Sequence, residues 1–217
     1  MVTLSITHGI PSQRRVDCMS DPITPAGYPS AILKGDVVGR ALTGVQDRLK
    51  ALFPDTMFRH VLLPPHATRQ TWETMTRDAP CVAVGVGRWK ASRRASRRAN
   101  NRFIGTLSFP LAIFQSLEQP EDLYLGTDTL SEIGVAGLMA AIAGGLNGWT
   151  LPGVGSCRVA TIKTSAKAEW CDDHSVVVTA KLMFKGVTLD NIEALAALED
   201  FVAGQEAILM KKESRNA

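Results

Sequence analysis

The chain has 217 residues, of which 45% are hydrophobic and 21% are charged. This length and balance predict one globular domain, or one domain with extensions, that buries a sizeable core. The 24 basic and 21 acidic residues leave a net charge of +3, which excludes a protein that is polycationic or polyanionic as a whole, so the distribution of charge matters more.

The first 35 residues carry four prolines and little hydrophobic periodicity. Proline fixes φ and removes a backbone donor, so we expect residues 1–35 to form an extended or irregular N-terminal arm. This arm is either a disordered leader or a segment that lies on a neighbouring subunit. The sequence MVTLSITHGIPSQRRVD lacks an apolar central segment, so we expect no signal peptide.

A helix is predicted from Asp36 to Leu52. Asp36 fits the N-cap position, and Pro54 ends the helix. Its apolar residues recur at steps of three and four and make one stripe: Val37, Val38, Ala41, Leu42, Val45, Leu49 and Leu52. A short strand is expected within Thr56–Leu63, and the polar residues 66–78 predict a loop or a short helix.

Alternating side chains predict a strand over Cys81–Trp89, with valines on one face and small residues on the other. A second strand is predicted over Phe103–Phe114, where Pro110 indicates an edge or a bulge. The segment between them, residues 88–102, is predicted to be the tip of a long hairpin.

Small residues dominate the next predicted helix, Leu130–Leu146. Thr129 and Glu132 have the T-x-x-E spacing of a capping box, and an Asn-Gly pair marks the end of the helix. The segment Leu130–Trp149 is also the one candidate for a membrane span. Because it contains Glu132 and several glycines, we expect a buried core helix instead.

Two further strands, near Cys157–Thr164 and Ser175–Phe184, flank the polar residues 169–174 and predict a second hairpin. A last helix is expected from Asp190 to about Lys212.

The order of elements predicts an α+β fold: an antiparallel or mixed β-sheet built from two hairpins, with helices packed on it, plus the extended N-terminal arm. The predicted boundaries are 1–35 for the arm, 36–188 for the α+β domain and 189–217 for the C-terminal helix and tail.

No pattern in the sequence indicates catalysis. The phosphate loop, the nucleophile elbow and the H-E-x-x-H zinc motif are absent, and Gly85-Val-Gly87 lacks the third glycine of a dinucleotide fingerprint. Residues 171–174 form the one dense group of metal-ligand types, but consecutive strand residues point to opposite faces. We expect no catalytic residues, no cofactor and no metal site.

The four cysteines have neither metal-ligand spacing nor the regular spacing of a disulfide framework, so we expect free thiols: Cys18, Cys81, Cys157 and Cys171. Of the tryptophans, Trp89 and Trp170 are expected to close the core.

The densest charge lies in the segment RWKASRRASRRANNR, which has seven basic residues and no acid: Arg88, Lys90, Arg93, Arg94, Arg97, Arg98 and Arg102. The planar guanidinium of arginine suits phosphate and carboxylate groups. Two interpretations stay open, a hairpin that contacts an anionic partner and a solvated loop that mutual repulsion keeps flexible.

The layout of residues 36–188 resembles the tail terminator (tail completion) family of long-tailed bacteriophages, in its Mu-like version. The matching segments are the helix Val37–Leu52 with its stop Phe53-Pro54, the strand APCVAVGV at Ala79–Val86, the basic hairpin leading into RFIGTLSFPLAIF at Arg102–Phe114, the small-residue helix Leu130–Leu146 followed by LNGW, and the closing hairpin Cys157–Gly186. The arm and the C-terminal helix lie outside the resemblance.

The resemblance implies a structural virion protein at the tail–neck junction, assembled in the host cytoplasm. Such a protein forms a six-membered ring that caps the tail tube, ends its polymerisation and joins the tail to the head–neck connector. The implied partners are other copies of the chain, the tube protein, a sheath protein, the connector and DNA in the channel, with no membrane.

On this basis we expect the 88–102 hairpin to project toward an anionic surface and residues 1–35 to lie on an adjacent protein. Two alternatives remain open. One is another neck or adaptor structural protein, and the other is a basic nucleic-acid-binding module.

Overall fold

The computed structural model describes residues 27–92, 104–127, 132–165, 173–189 and 192–216. The helices in these ranges are α1 Ser30–Leu33, α2 Asp36–Leu52, α3 Arg69–Arg77, α4 Asp122–Leu125, α5 Val135–Leu146 and α6 Ile192–Asn216. The strands there are β1 Arg59–Leu62, β2 Cys81–Val84, β3 Trp89–Ala91, β4 Ile104–Ser116, β5 Thr150–Leu151, β6 Gly155–Thr164 and β7 Ser175–Thr188.

The strands form a mixed sheet that curls into a half-barrel, in the order β1-β2-β4-β7-β6-β5, with β3 also paired to β4. Strands β1 and β2 are parallel, and the other pairs are antiparallel. Strand β4 pairs with β7 along its whole length, from Ile104 opposite Thr188 to Ser116 opposite Ser175. The predicted α+β class is confirmed.

Helices α2 and α5 cover one face of this sheet. The predicted stripe of α2 is buried at Val37, Ala41, Val45 and Leu49, and α5 buries Val135, Leu138, Ile142 and Leu146. These side chains pack in one core with the apolar side chains of β4 and β7.

Helix α3 lies on the opposite face of the sheet, where Met75 and Trp72 pack with Phe114. The ring centroids of Trp72 and Phe114 are 5.6 Å apart. Residues 66–78, for which the sequence left a loop or a short helix open, therefore contain a helix that covers one end of this second face.

The N-cap predicted for α2 is wrong by one residue. Gly35 occupies the cap position with φ 71°, a left-handed conformation that glycine adopts without strain, and Asp36 is the first helical residue. The Asp36 carboxylate lies 3.6 Å from the guanidinium of Arg40, one turn further along the helix. The predicted end of the helix before Pro54 is confirmed.

The predicted capping box is also wrong. Helix α5 begins at Val135, after Gly134, so Glu132 precedes the helix and accepts a hydrogen bond from the Thr127 hydroxyl. Thr129 lies outside the described residues. The predicted end is correct, because Asn147 caps α5 and Gly148 follows with φ 81°.

The strand predicted over Cys81–Trp89 is interrupted by a bulge. Strand β2 ends at Val84, opposite Leu111, and β3 begins at Trp89, opposite Leu107. Four residues of this segment therefore lie against three residues of β4, which is the spacing of a one-residue β-bulge.

Pro110 lies opposite this bulge. The edge alternative is wrong, because Pro110 belongs to a central strand, and the bulge alternative is confirmed. The Pro110 carbonyl accepts a hydrogen bond of 3.1 Å from the Gly85 N–H. Pro110 has no N–H to donate toward residues 85–88. The bulge already interrupts regular pairing there.

Residues Tyr28–Leu198 form one compact unit that contains the sheet. The described residues from Glu199 onward, all in α6, belong to another compact unit. Of the predicted arm, residues 27–35 are described and contain the single helical turn α1, while residues 1–26 lie outside the described ranges. Among the described helices, none has the length and apolar composition that a membrane span requires.

Candidate assembly and anion-binding surfaces

The structure describes two of the seven predicted anion-contacting residues. Arg88 lies in the bulge and Lys90 lies on β3, and both side chains are exposed. The other five lie outside the described residues: Arg93, Arg94, Arg97, Arg98 and Arg102.

Ser108 fixes the backbone of Arg88 from the neighbouring strand. The Arg88 carbonyl accepts hydrogen bonds from the Ser108 N–H at 2.9 Å and from the Ser108 hydroxyl at 3.0 Å. The Arg88 N–H lies 3.2 Å from the same hydroxyl oxygen and donates to it. The main chain is therefore held while the guanidinium faces solvent.

Trp89 anchors β3 to the sheet. Its ring is half-buried against the main core, as predicted, and its Nε1–H donates a hydrogen bond of 3.2 Å to the carbonyl of Val187 on β7. The indole crosses β4 at Gly105, where a Cβ would lie 2.6 Å from both the Lys90 carbonyl oxygen and Trp89 Cζ2. A side chain at position 105 would thus displace the anchor. Trp170 lies outside the described residues.

We call residues 88–102 the basic segment. The chain leaves the sheet at Ser92 and rejoins it at Ile104. Ser92 donates its N–H to the Ile104 carbonyl at 2.8 Å. The two ends of segment 93–103 are therefore adjacent, next to Lys90.

Lys90 belongs to a larger row of cations. It pairs with Thr106 on β4, which pairs with Lys185 on β7. Residues paired across antiparallel strands share a face, and side chains alternate along a strand. Since the neighbouring pair Leu107 and Phe184 is buried in the core, Lys90 and Lys185 lie on the opposite face of the sheet.

The same face continues onto β6. Arg158 lies opposite Met183, Lys163 opposite Thr179, and Thr161 opposite Lys181. Their core-facing neighbours are Cys157, Val159 and Ile162. We call this surface the cationic face, formed by Lys90, Arg158, Lys163, Lys181 and Lys185. Lys181 is half-buried and the other four are exposed.

Four of these five cations, all except Lys90, were not predicted from the sequence. A signal was present, because β3, β4, β6 and β7 contain no Asp or Glu, and Lys181 and Lys185 have the even spacing that places them on one face. What no local pattern indicates is the pairing of strands that brings Lys90, Arg158 and Lys163 beside them.

A second surface combines apolar and acidic side chains. Tyr124 is 70% exposed and Leu125 is 84% exposed on the short helix α4. The carboxylates of Glu118, Glu121 and Asp122 lie just before them in the chain. We call these five residues the α4 knob.

A groove lies along the outer side of α2. Its volume is about 810 Å³, and its lining includes Lys34, Arg40, Leu42, Gly44 and Leu62. Leu62 is 53% exposed on β1, the strand at one edge of the sheet. We call this cavity the α2 groove. It combines apolar walls with two cations and with the carboxylates of Asp36 and Asp47.

Cys81 and Cys157 are free and buried, as predicted for the thiols. Burial raises the pKa of the Cys157 thiol to about 11, against a smaller opposing effect of a hydrogen bond from the Met183 backbone. Burial also raises the pKa of Cys81, which Arg59 lowers in part. Both thiols therefore stay protonated at neutral pH, in the form that is a poor nucleophile and a poor metal ligand.

Across the described ranges, no group of three or more His, Cys, Asp or Glu side chains is arranged to hold a metal ion. Comparison of the sequence with protein-family models finds no matching family, and a search of curated proteins finds no relative.

Proposed function

We propose that the chain is a structural protein of a long-tailed bacteriophage and that six copies form a ring at the tail–neck junction of the virion. The ring caps the tail tube and ends its polymerisation, because a tube whose last edge is covered by a different subunit cannot add more of its own. It also presents a surface to the head–neck connector, and a contractile sheath anchors on it. The role requires no covalent chemistry.

The layout of the folded unit supports this proposal. Helix α2, strands β2 and β4, helix α5 and strands β6 and β7 fall in the segments that carry the resemblance to tail terminators. In the proposed subunit, one hairpin spans residues 81–116, another spans residues 155–188, and they meet along β4 and β7.

The main observation in support of the ring is that one chain has two unlike surfaces. The α4 knob exposes adjacent apolar side chains with carboxylates beside them, and the α2 groove has apolar walls with Lys34 and Arg40 among its lining residues. Two unlike surfaces give a head-to-tail contact, which closes into a ring when the rotation between subunits is right. In the proposed ring, Tyr124 and Leu125 enter the α2 groove of the next copy.

The mass of the purified protein and negative-stain images test the ring. We expect a species of six subunits with a central hole for the natural sequence and a monomer for Leu125→Asp. The matched control is Leu209→Asp, since Leu209 is also exposed, at 61%, but lies on α6, outside both surfaces. This control should still form the ring.

Three results would overturn parts of the proposal. A natural chain that stays monomeric in the presence of tail tubes contradicts the ring. A Leu125→Asp ring of normal size contradicts the knob-to-groove contact. A ring that binds the connector and not the tube end identifies a neck protein instead of a tail terminator.

In the proposed assembly, residues 1–35 lie on an adjacent protein and the 88–102 hairpin faces an anionic surface. A chain that starts at Asp36 should therefore join tails to heads poorly. Replacing Arg93, Arg94, Arg97 and Arg98 by Glu should also reduce joining. Normal yields of joined particles from either variant would contradict the corresponding contact.

A further inference from the structure

We infer that the cationic face binds the phosphate backbone of duplex DNA without reading its base sequence. This inference concerns one surface of a single subunit and does not depend on the proposed ring.

In the described part of the chain, no acidic side chain pairs with a cation of this face. Among the described residues, the ion pairs involve Arg40, Lys50, Arg59, His60 and Arg69, and none of the five cations of the face takes part. The strands that form the face contain no carboxylate. Clustered charge of one sign raises the local potential and attracts a polyanion.

The other side chains of the face favour phosphate over an acidic protein. Thr106, Thr161 and Thr179 alternate with the cations on the same surface. Lysine, arginine and hydroxyl side chains are the groups that contact DNA phosphates and sugars. Lysine is depleted at protein–protein interfaces, so a surface with four lysines and one arginine is unlike the centre of such an interface.

The dimensions of the face suit a duplex. Strands lie about 4.8 Å apart and residues rise about 3.3 Å along a strand, so the face from Lys185 to Thr179 is roughly 20 Å long. That length covers more than half of a turn of B-DNA, which is about 34 Å. Proteins that hold single strands stack bases on aromatic rings. Near this face, Trp89 and Phe184 instead pack on the core side, and Phe114 packs against Trp72 of α3 at one end.

The chain leaves and rejoins the sheet at one end of this surface. Ser92 and Ile104 are hydrogen-bonded to each other there, next to the row of Lys90, Thr106 and Lys185. At the other end, α3 covers Phe114 and closes the face. The open part of the sheet therefore runs from α3 to the start of the basic segment.

Fluorescence anisotropy with a labelled duplex of about 30 base pairs tests the inference on the full-length protein, at NaCl concentrations from about 50 to about 300 mM. The association constant should fall with salt, with a logarithmic slope of roughly −0.9 for each phosphate neutralised. The triple variant Arg158→Gln, Lys163→Gln, Lys185→Gln should weaken binding at least about tenfold at low salt and reduce the slope by roughly three units.

The matched control removes three positive charges from α2 and α6, with Lys50→Gln, Lys211→Gln and Lys212→Gln. It should bind DNA as tightly as the natural chain. Thermal melting of both variants checks that each one folds. A triple variant with an unchanged slope, or a control that weakens equally, overturns the inference.

Two competing ligands distinguish duplex DNA from the other possible ligands of the cationic face. Polyglutamate at the same charge concentration should compete weakly, and equal competition would identify the face as a site for an acidic protein. A single strand of the same length that binds more tightly than the duplex would overturn the duplex assignment. The Leu125→Asp variant should retain DNA binding as a monomer, so failure of the ring and failure of this inference give different results.

Discussion

The indole of Trp89 donates a hydrogen bond of 3.2 Å to the carbonyl of Val187, across the intervening strand β4. This contact joins the short strand β3 to β7 at the end of the sheet where the basic segment begins. Because β3 has only three residues, its position depends on this side chain as well as on its ladder to β4.

Replacing Trp89 by Phe should destabilise the protein by more than replacing Trp149 by Phe. Both rings are half-buried against the same core, but the described contacts give an indole hydrogen bond for Trp89 and none for Trp149. The lost bond should cost about 1 kcal/mol beyond the shared loss of ring area. Urea denaturation measures both free energies of unfolding, and equal values would contradict the anchoring role.

Two glycines in helices should respond to alanine in opposite directions. A Cβ on Gly144 in α5 meets nothing within 4 Å, so Gly144→Ala should stabilise the protein by about 0.5 to 1 kcal/mol. A Cβ on Gly39 in α2 would overlap the backbone carbonyl of Lys34, so Gly39→Ala should destabilise it by about 1 to 3 kcal/mol. Thermal melting distinguishes these signs, and a stabilised Gly39→Ala variant would contradict the turn between α1 and α2.

Substitutions at two leucines should distinguish a core position from a position on the proposed assembly surface. Leu138 is fully buried on the core-facing side of α5, whereas Leu125 is 84% exposed on the α4 knob. Leu138→Ala should cost about 2 to 5 kcal/mol through the cavity it leaves. Leu125→Ala should change the free energy of unfolding by less than about 0.5 kcal/mol. Urea denaturation measures the free energy of unfolding of both variants. A large loss for Leu125→Ala would show that this side chain stabilises the folded subunit.

The helical stripes of α2 and α5 could be predicted because their signal is local. A window of a few turns contains every residue that shares the face, as with Ala41, Val45 and Leu49. The helix starts could not be predicted so well. Gly35 caps α2 in a left-handed conformation directly after the turn of α1. The residues of α2 itself do not predict this conformation.

The bulge and the cationic face depend on pairing between distant segments. Pro110 signals an irregularity, but the extra residue is visible only when residues 85–88 are set against β4. In the same way, Lys90 and Arg158 share a face only through the intervening strands β4 and β7. Local patterns therefore identified the basic segment and missed the cations that lie beside it in space.

The stability of the protein should fall as the pH rises through the range from 9 to about 11. A cysteine thiol in the unfolded chain has an ordinary pKa of 9.0, and burial raises the pKa of Cys157 to about 11 in the folded protein. A raised folded-state pKa contributes stability that is fully present below pH 9 and is lost as the pH approaches 11, because the unfolded chain loses the proton first.

Urea denaturation at several pH values measures this loss, and Cys157→Ala supplies the control. That variant has a lower free energy of unfolding at about pH 8, because it removes a buried sulfur, but it should show a shallower decline between about pH 9 and about pH 11. Other groups that titrate in this range act equally in both proteins. An identical decline in the two proteins would contradict the raised pKa and would place the Cys157 side chain in contact with water.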